Sequence, residues 1–85
     1  MATPEHVRLI LYSKPGCHLC DDAKADVERL RRRGLEVTVE ERDITTNPEW
    51  FERFRFTIPV AEVNGQTLEA PFNDHGLELL LRRAG

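Results

Sequence analysis

The stretch Tyr12-Ser13-Lys14-Pro15-Gly16-Cys17-His18-Leu19-Cys20 holds both cysteines of this 85-residue chain, and it lies where an apolar run ends and a helical pattern begins. A Cys-x-x-Cys at a strand-to-helix junction makes a thiol reactive. The first helical turn carries unpaired N–H groups and partial positive charge, which favour a thiolate over a thiol. Cys17 falls at or just before that turn, and Cys20 lies one turn further in. An i, i+3 pair brings two α-carbons within the span a disulfide requires, so the pair can open and close with little backbone movement.

Other uses of the motif fit less well. A zinc half-site needs two more ligands at local spacing, and His6, His18 and His75 are scattered along the chain. Haem attachment needs a histidine directly after the second cysteine, where Asp21 stands. A structural disulfide closing so short a loop would restrict the unfolded chain very little. The leading expectation is a dithiol–disulfide pair, with no metal and no cofactor. A pair used as a sensor or binding feature, or as part of a metal or iron–sulfur site, stays open as an alternative.

Around this stretch the chain reads as one domain over 1–85. Val7 to Tyr12 is too short for a helix and rich in strand formers, which suits a buried central strand. From Cys17 to about Arg33 the stripe Leu19, Ala23, Val27, Leu30 predicts a helix that Gly34 ends. The run Arg31-Arg32-Arg33 reads as its solvated C-terminus. Leu35 to Val39 alternates apolar and polar residues as a half-buried strand does, and Glu40-Glu41-Arg42-Asp43 leads out of it. Strand, helix and strand imply a parallel pair with a right-handed crossover. Ile44 is expected to be buried. Asn47 and Pro48 read as the cap and first position of a short helix to about Phe54, with Trp50, Phe51 and Phe54 on one core-facing side. Val60 to Val63, Asn64-Gly65 and Gln66 to Glu69 form a hairpin with a two-residue type I′ turn. Asn73 or Asp74 caps a last helix whose apolar face is Leu77, Leu80, Leu81 and Ala84. Met1 to His6 is a short polar lead, expected to fray.

The segment Tyr12–Cys20 is similar to the active-site segment of glutaredoxins and related small redoxins. The match includes the lysine three before the first cysteine and the Pro-Gly pair; His18-Leu19 fills the gap between the cysteines. Thr57-Ile58-Pro59-Val60 resembles the family's Thr-Val-Pro stretch, whose proline is cis and faces the cysteines. The order β-α-β-α-β-β-α, a mixed four-stranded sheet flanked by helices, is that of the thioredoxin-like fold in its glutaredoxin form. The resemblance implies a thiol–disulfide oxidoreductase with Cys17 as nucleophile and Cys20 as resolving thiol. Lys14 would favour the thiolate, His18 would help when protonated, and Ile58 and Pro59 would shape the substrate groove.

The resemblance also bears on partners. Glutaredoxins carry a Gly-Gly pair after the hairpin that cradles glutathione; here Glu69 and Ala70 stand there. A thioredoxin-reductase type of donor or another redoxin is therefore expected over glutathione, with protein or small-molecule disulfides as substrates. The net charge of −3 gives no electrostatic case for nucleic acid. No run is as long as a membrane span, and the N-terminus lacks a basic-then-apolar pattern. Two cysteines and no others suggest a reducing compartment. The expectation is a cytoplasmic monomer.

Overall fold

The computed structural model describes residues 7–85; the polar lead Met1–His6 lies outside them. Three helices flank a sheet of four strands: β1 (Val7–Ser13), α1 (His18–Arg32), β2 (Val37–Asp43), α2 (Pro48–Phe54), β3 (Val60–Val63), β4 (Gln66–Glu69) and α3 (Asp74–Ala84). The sheet order is β2-β1-β3-β4. β1 runs parallel to β2 and antiparallel to β3, and β3 is antiparallel to β4. This is the thioredoxin-like arrangement expected from the order of elements.

Alternation along the strands decides which helix packs where. Leu9 of β1, Val37 of β2, and Ala61 and Val63 of β3 meet Val27 and Leu30 of α1 and Leu77, Leu80 and Leu81 of α3 in the larger core. The opposite face carries Tyr12 and Val60, which pack with Ile44 and with Phe54 of α2. Tyr12 stacks on Phe54 at 4.2 Å between ring centroids and meets Trp50 edge-on at 5.9 Å.

Two expectations about helix faces need correction. Leu19 is not part of the buried stripe of α1; it is 50 % exposed, and Cys20 takes its place beside Ala23, Val27 and Leu30. Leu19 and Cys20 stand at opposite edges of the arc set by Ala23, Val27 and Leu30, so spacing alone does not choose between them, and the structure turns the Cys20 edge to the core. Phe51 is exposed, while Trp50 is half-buried and Phe54 buried, because Trp50 and Phe54 stand four apart and Phe51 turns about a quarter-turn away.

β2 also differs: it begins at Val37 and runs to Asp43, not Leu35 to Val39. Leu35 is held to the end of α1 by its N–H on the Leu30 carbonyl (3.1 Å). Glu40 and Arg42 stay in the strand because their charges are satisfied on the sheet. Arg42 donates to Glu40 (2.7 Å) and to the Tyr12 hydroxyl (3.1 Å), and Arg8 lies 3.4 Å from Glu40.

The caps follow the sequence reading. Asn47 accepts from the N–H groups of Glu49 and Trp50, and Asn73 from that of Gly76. The hairpin turn puts Asn64 and Gly65 at φ +49° and +84°, both left-handed, as a type I′ turn requires. α1 and α3 are tied by Arg33, which bonds Asp74 (2.6 Å) and Glu78 (3.3 Å), and by Arg29, which bridges Asp26 of its own helix to Asp74. Burial pushes the Asp26 carboxyl above its ordinary value, against the pull of Arg29. No helix among the described residues is long and apolar enough to cross a membrane.

Candidate active site

β1 ends at Ser13, and Lys14-Pro15-Gly16 turns the chain into α1. Gly16 has φ +76°, a left-handed backbone that a side chain would strain. That turn delivers Cys17 as the N-cap of α1, with extended backbone at φ −97° and ψ 111°. The Cys17 carbonyl accepts from the Asp21 N–H (3.1 Å), and its Sγ accepts from the Cys20 N–H (3.1 Å). A sulfur thus stands where a serine or aspartate oxygen caps other helices. One of the helix's unpaired N–H groups is aimed at it, which favours negative charge on that atom.

Cys17 and Cys20 are joined as a disulfide across a Cα–Cα distance of 5.2 Å. The two sulfurs are not equivalent. Cys17 is half-buried and open to solvent, whereas Cys20 is 1 % exposed and packed into the core face of α1. His18 and Leu19 lie exposed beside them, and Lys14 is exposed on the turn.

Register brings the second stretch to the same end of the sheet. Tyr12 pairs with Val60, so the next position sets Pro59 opposite Ser13, beside the turn into Cys17. The Ile58–Pro59 bond is cis. Pro59 is buried, and Ile58 is half-buried against the Tyr12 cluster. On the other side of Pro59, its carbonyl accepts from the Ala70 N–H (3.1 Å), which draws the loop after β4 to the same edge. A second cis bond, Ala70–Pro71, follows at once; nothing in the sequence reading pointed to it.

One polar cluster beneath the site also escaped that reading. Glu41 follows Val37 and Val39 on the core side of β2, so a carboxylate stands where the strand pattern calls for an apolar residue. It accepts from the Ser13 hydroxyl (2.8 Å) and pairs with Lys24 Nζ (2.8 Å). Ser13 is 2 % exposed and directly precedes the turn into Cys17; Lys24 lies one turn beyond Cys20 on α1. The parity of 37, 39 and 41 was the available signal.

Lys24 and then Ser13 hold the Glu41 carboxyl below its ordinary value, and Glu41 in turn raises Lys24. A lowered carboxyl contributes stability above its unfolded pKa and loses it as pH falls through the folded one. Both partners are nearly half exposed, so solvent screens the pair to about 1 kcal/mol or less. Glu41→Gln is therefore expected to lower the urea midpoint slightly at neutral pH. The difference from wild type should vanish once the pH drops below the usual carboxylate range. A gap that persisted in acid would mean the pair is not its source.

Comparison with known proteins agrees with this geometry. Residues 8–82 match the family model described as "Glutaredoxin-like domain (DUF836)". A Northeast Structural Genomics target protein from X. campestris superposes with a TM-score of 0.76 at 27 % identity, over 91 % of this chain and 99 % of that one. A malarial protein gives 0.67 at 13 % identity, over 93 % and 97 %. Desulfothioredoxin from Desulfovibrio vulgaris Hildenborough, in its reduced form, gives 0.66 at 17 %, over 92 % and 81 %. The last two show the fold alone. The family match and the Cys17–Cys20 pair support a redox-type function. With nearly its whole length inside the matched region, the chain belongs to the glutaredoxin-like domain family.

Proposed function

We propose that the protein is a thiol–disulfide oxidoreductase that reduces protein or small-molecule disulfides with the Cys17–Cys20 dithiol. The observation that carries this reading is the asymmetry of the pair: a partly exposed cysteine at a helix cap and a buried one behind it. In the reduced protein the Cys17 thiolate attacks one sulfur of the substrate disulfide. A Cys17–substrate bond forms, the substrate S–S bond breaks, and the first thiolate leaves and takes a proton. Cys20, deprotonated, then attacks the Cys17 sulfur and expels the second substrate thiolate. Two electrons pass to the substrate, the dithiol becomes the disulfide, and a donor of two electrons must restore it. Lys14 favours the Cys17 thiolate, and Lys14, His18, Ile58 and Pro59 border the substrate. The reading sets this chemistry in the cytoplasm, with one domain acting as a monomer and needing no metal or cofactor.

We infer further that glutathione is a poor donor. Glutathione carries two carboxylates and one ammonium, so it is a net anion. At the loop beside Pro59, the Ala70 N–H is already bonded to the Pro59 carbonyl, and Pro71 has none to offer. The exposed Glu69 adds like charge, which opposes an anion a few ångström away by about 1 to 4 kcal/mol. That is roughly one to three decades in affinity.

The experiment is multiple-turnover reduction of hydroxyethyl disulfide, with electrons supplied by thioredoxin reductase or by glutathione and its reductase. Catalytic turnover, faster with the first supply, is expected. Replacing Glu69 and Ala70 together with glycine should raise the glutathione-linked rate about tenfold. A single stoichiometric oxidation with no recycling would point to a sensor instead. Fast wild-type turnover on millimolar glutathione would remove the argument from Glu69.

A further inference from the structure

The turn between α2 and β3 carries surface that the fold does not use. The Phe54 carbonyl accepts from both Thr57 N–H (2.9 Å) and Ile58 N–H (3.0 Å), which closes residues 55–58 into a tight turn. Phe56 stands outside that turn and is 86 % exposed. The Arg55 guanidinium lies 4.7 Å from the Phe56 ring centroid and 5.5 Å from that of Phe51. Arg53 lies 4.7 Å from the ring of Phe54. Arg8, Arg29, Arg31, Arg33, Arg42 and Arg82 each hold a carboxylate; among the described residues Arg32, Arg53, Arg55 and Arg83 hold none, and of these four Arg53 and Arg55 lie against aromatic rings. In a chain of net charge −3, the Arg55 guanidinium is left without a carboxylate beside the exposed rings of Phe51 and Phe56, while Arg53 lies on the buried Phe54. Thr57-Ile58-Pro59 joins this patch to the position that follows the Tyr12–Val60 pair, so the patch stands within a few residues of chain of the Pro59 side of the site.

We infer that Phe51, Arg55 and Phe56 form a docking surface for protein substrates that carry acidic residues beside their disulfide. The inference rests on the oxidoreductase reading and adds the class of substrate. A guanidinium stacked on rings keeps its in-plane N–H donors free, and they suit a carboxylate in bidentate geometry. Phe56 offers an apolar anchor next to it, the pairing of aromatic and arginine that dominates binding surfaces. Phe56 stands three residues before Pro59 in the chain, so a polypeptide bound at Pro59 has neighbouring side chains to set on this patch, whereas hydroxyethyl disulfide carries neither a carboxylate nor a large apolar group.

The test uses two synthetic cyclic peptides, each closed by one disulfide and identical except for a run of aspartates or of lysines next to one cysteine. Their kcat/KM values at low salt are measured for the wild type, Arg55→Glu, Phe56→Ala, and Arg83→Glu in the last turn of α3 as a charge control. Each value is divided by the same protein's rate on hydroxyethyl disulfide. The wild type is expected to prefer the acidic peptide by about tenfold. Arg55→Glu should cut that preference by about fivefold or more, and Phe56→Ala should lower the normalised rate on both peptides by about threefold. Arg83→Glu should keep the wild-type preference. The inference is overturned if the wild type shows no preference, if Arg55→Glu keeps it, if Phe56→Ala leaves both rates unchanged, or if Arg83→Glu loses as much as Arg55→Glu. Normal turnover of hydroxyethyl disulfide without peptide preference rejects the docking surface alone. No turnover of any disulfide rejects the oxidoreductase reading and the docking surface with it.

Discussion

A covalent one-to-one adduct through Cys17 is expected to accumulate when the Cys20→Ser variant meets a disulfide substrate. Cys17 caps α1 and is partly exposed, so the first exchange proceeds without Cys20. The second exchange needs a thiol behind Cys17, and serine's hydroxyl cannot supply one. The mixed disulfide therefore has no internal route of release, and intact-mass measurement should show protein plus half of the substrate. In Cys17→Ser the remaining thiol is 1 % exposed and faces the core. Turnover should fall by about three orders of magnitude or more, the scale on which loss of a nucleophile is felt. If Cys17→Ser traps substrate as well as Cys20→Ser does, the roles given to the two cysteines are wrong.

The second large effect is on stability, and it contrasts two leucines of the same helix. Leu30 is fully buried in the core shared by α1, α3 and the sheet, whereas Leu19 is half exposed next to the cysteines. Truncating a buried leucine costs the transfer of its lost methyl groups and leaves a cavity, together about 2–5 kcal/mol. A domain of this kind has only about 5–15 kcal/mol in total, so Leu30→Ala should move the urea midpoint far down. Leu19→Ala should stay within about 0.5 kcal/mol of wild type. Equal losses at the two positions would put Leu19 back in the core stripe and sink the placement of α1 described above. The point reaches the chemistry, because Cys20 shares the stripe with Leu30, and the seating of that stripe keeps one sulfur in and the other out.

Most of this architecture was legible in the sequence because its signals are local. The cap residues Asn47 and Asn73, the Asn64-Gly65 turn and the apolar face of α3 each depend on a few neighbouring side chains, and each stands where the pattern put it. The ends of β2 were not legible. A run of Glu40, Glu41, Arg42 and Asp43 reads as solvent-bound until Tyr12, Ser13 and Lys24 come near it, and those lie about twenty to thirty residues earlier in the chain. Leu19 was misplaced for a related reason. A cysteine counts weakly as an apolar residue in pattern reading, although free and paired cysteines are among the most buried side chains. The Cys17–Cys20 pairing was plain from spacing, but the exposed Phe56 was not, since no periodicity distinguishes an aromatic residue thrown out of a turn from one packed inside.

The sheet order places the first strand in the middle, and this bears on when the chain acquires its chemistry during synthesis. β1 is complete by Ser13, yet its parallel neighbour begins at Val37 and its antiparallel neighbour at Val60. A nascent chain ending anywhere before residue 60 leaves one side of β1 with unpaired N–H and carbonyl groups, a surface open to wrong pairing. Pro59 reaches its place beside the Cys17 turn only when β3 docks, and α3, which packs in the core under α1, is made after all the other elements described. Until then Cys17 and Cys20 have the cap of α1 but lack the Pro59 side and the packed core behind them. The site thus belongs to the folded domain, and a ribosome-bound fragment that carries the whole motif does not yet carry the site.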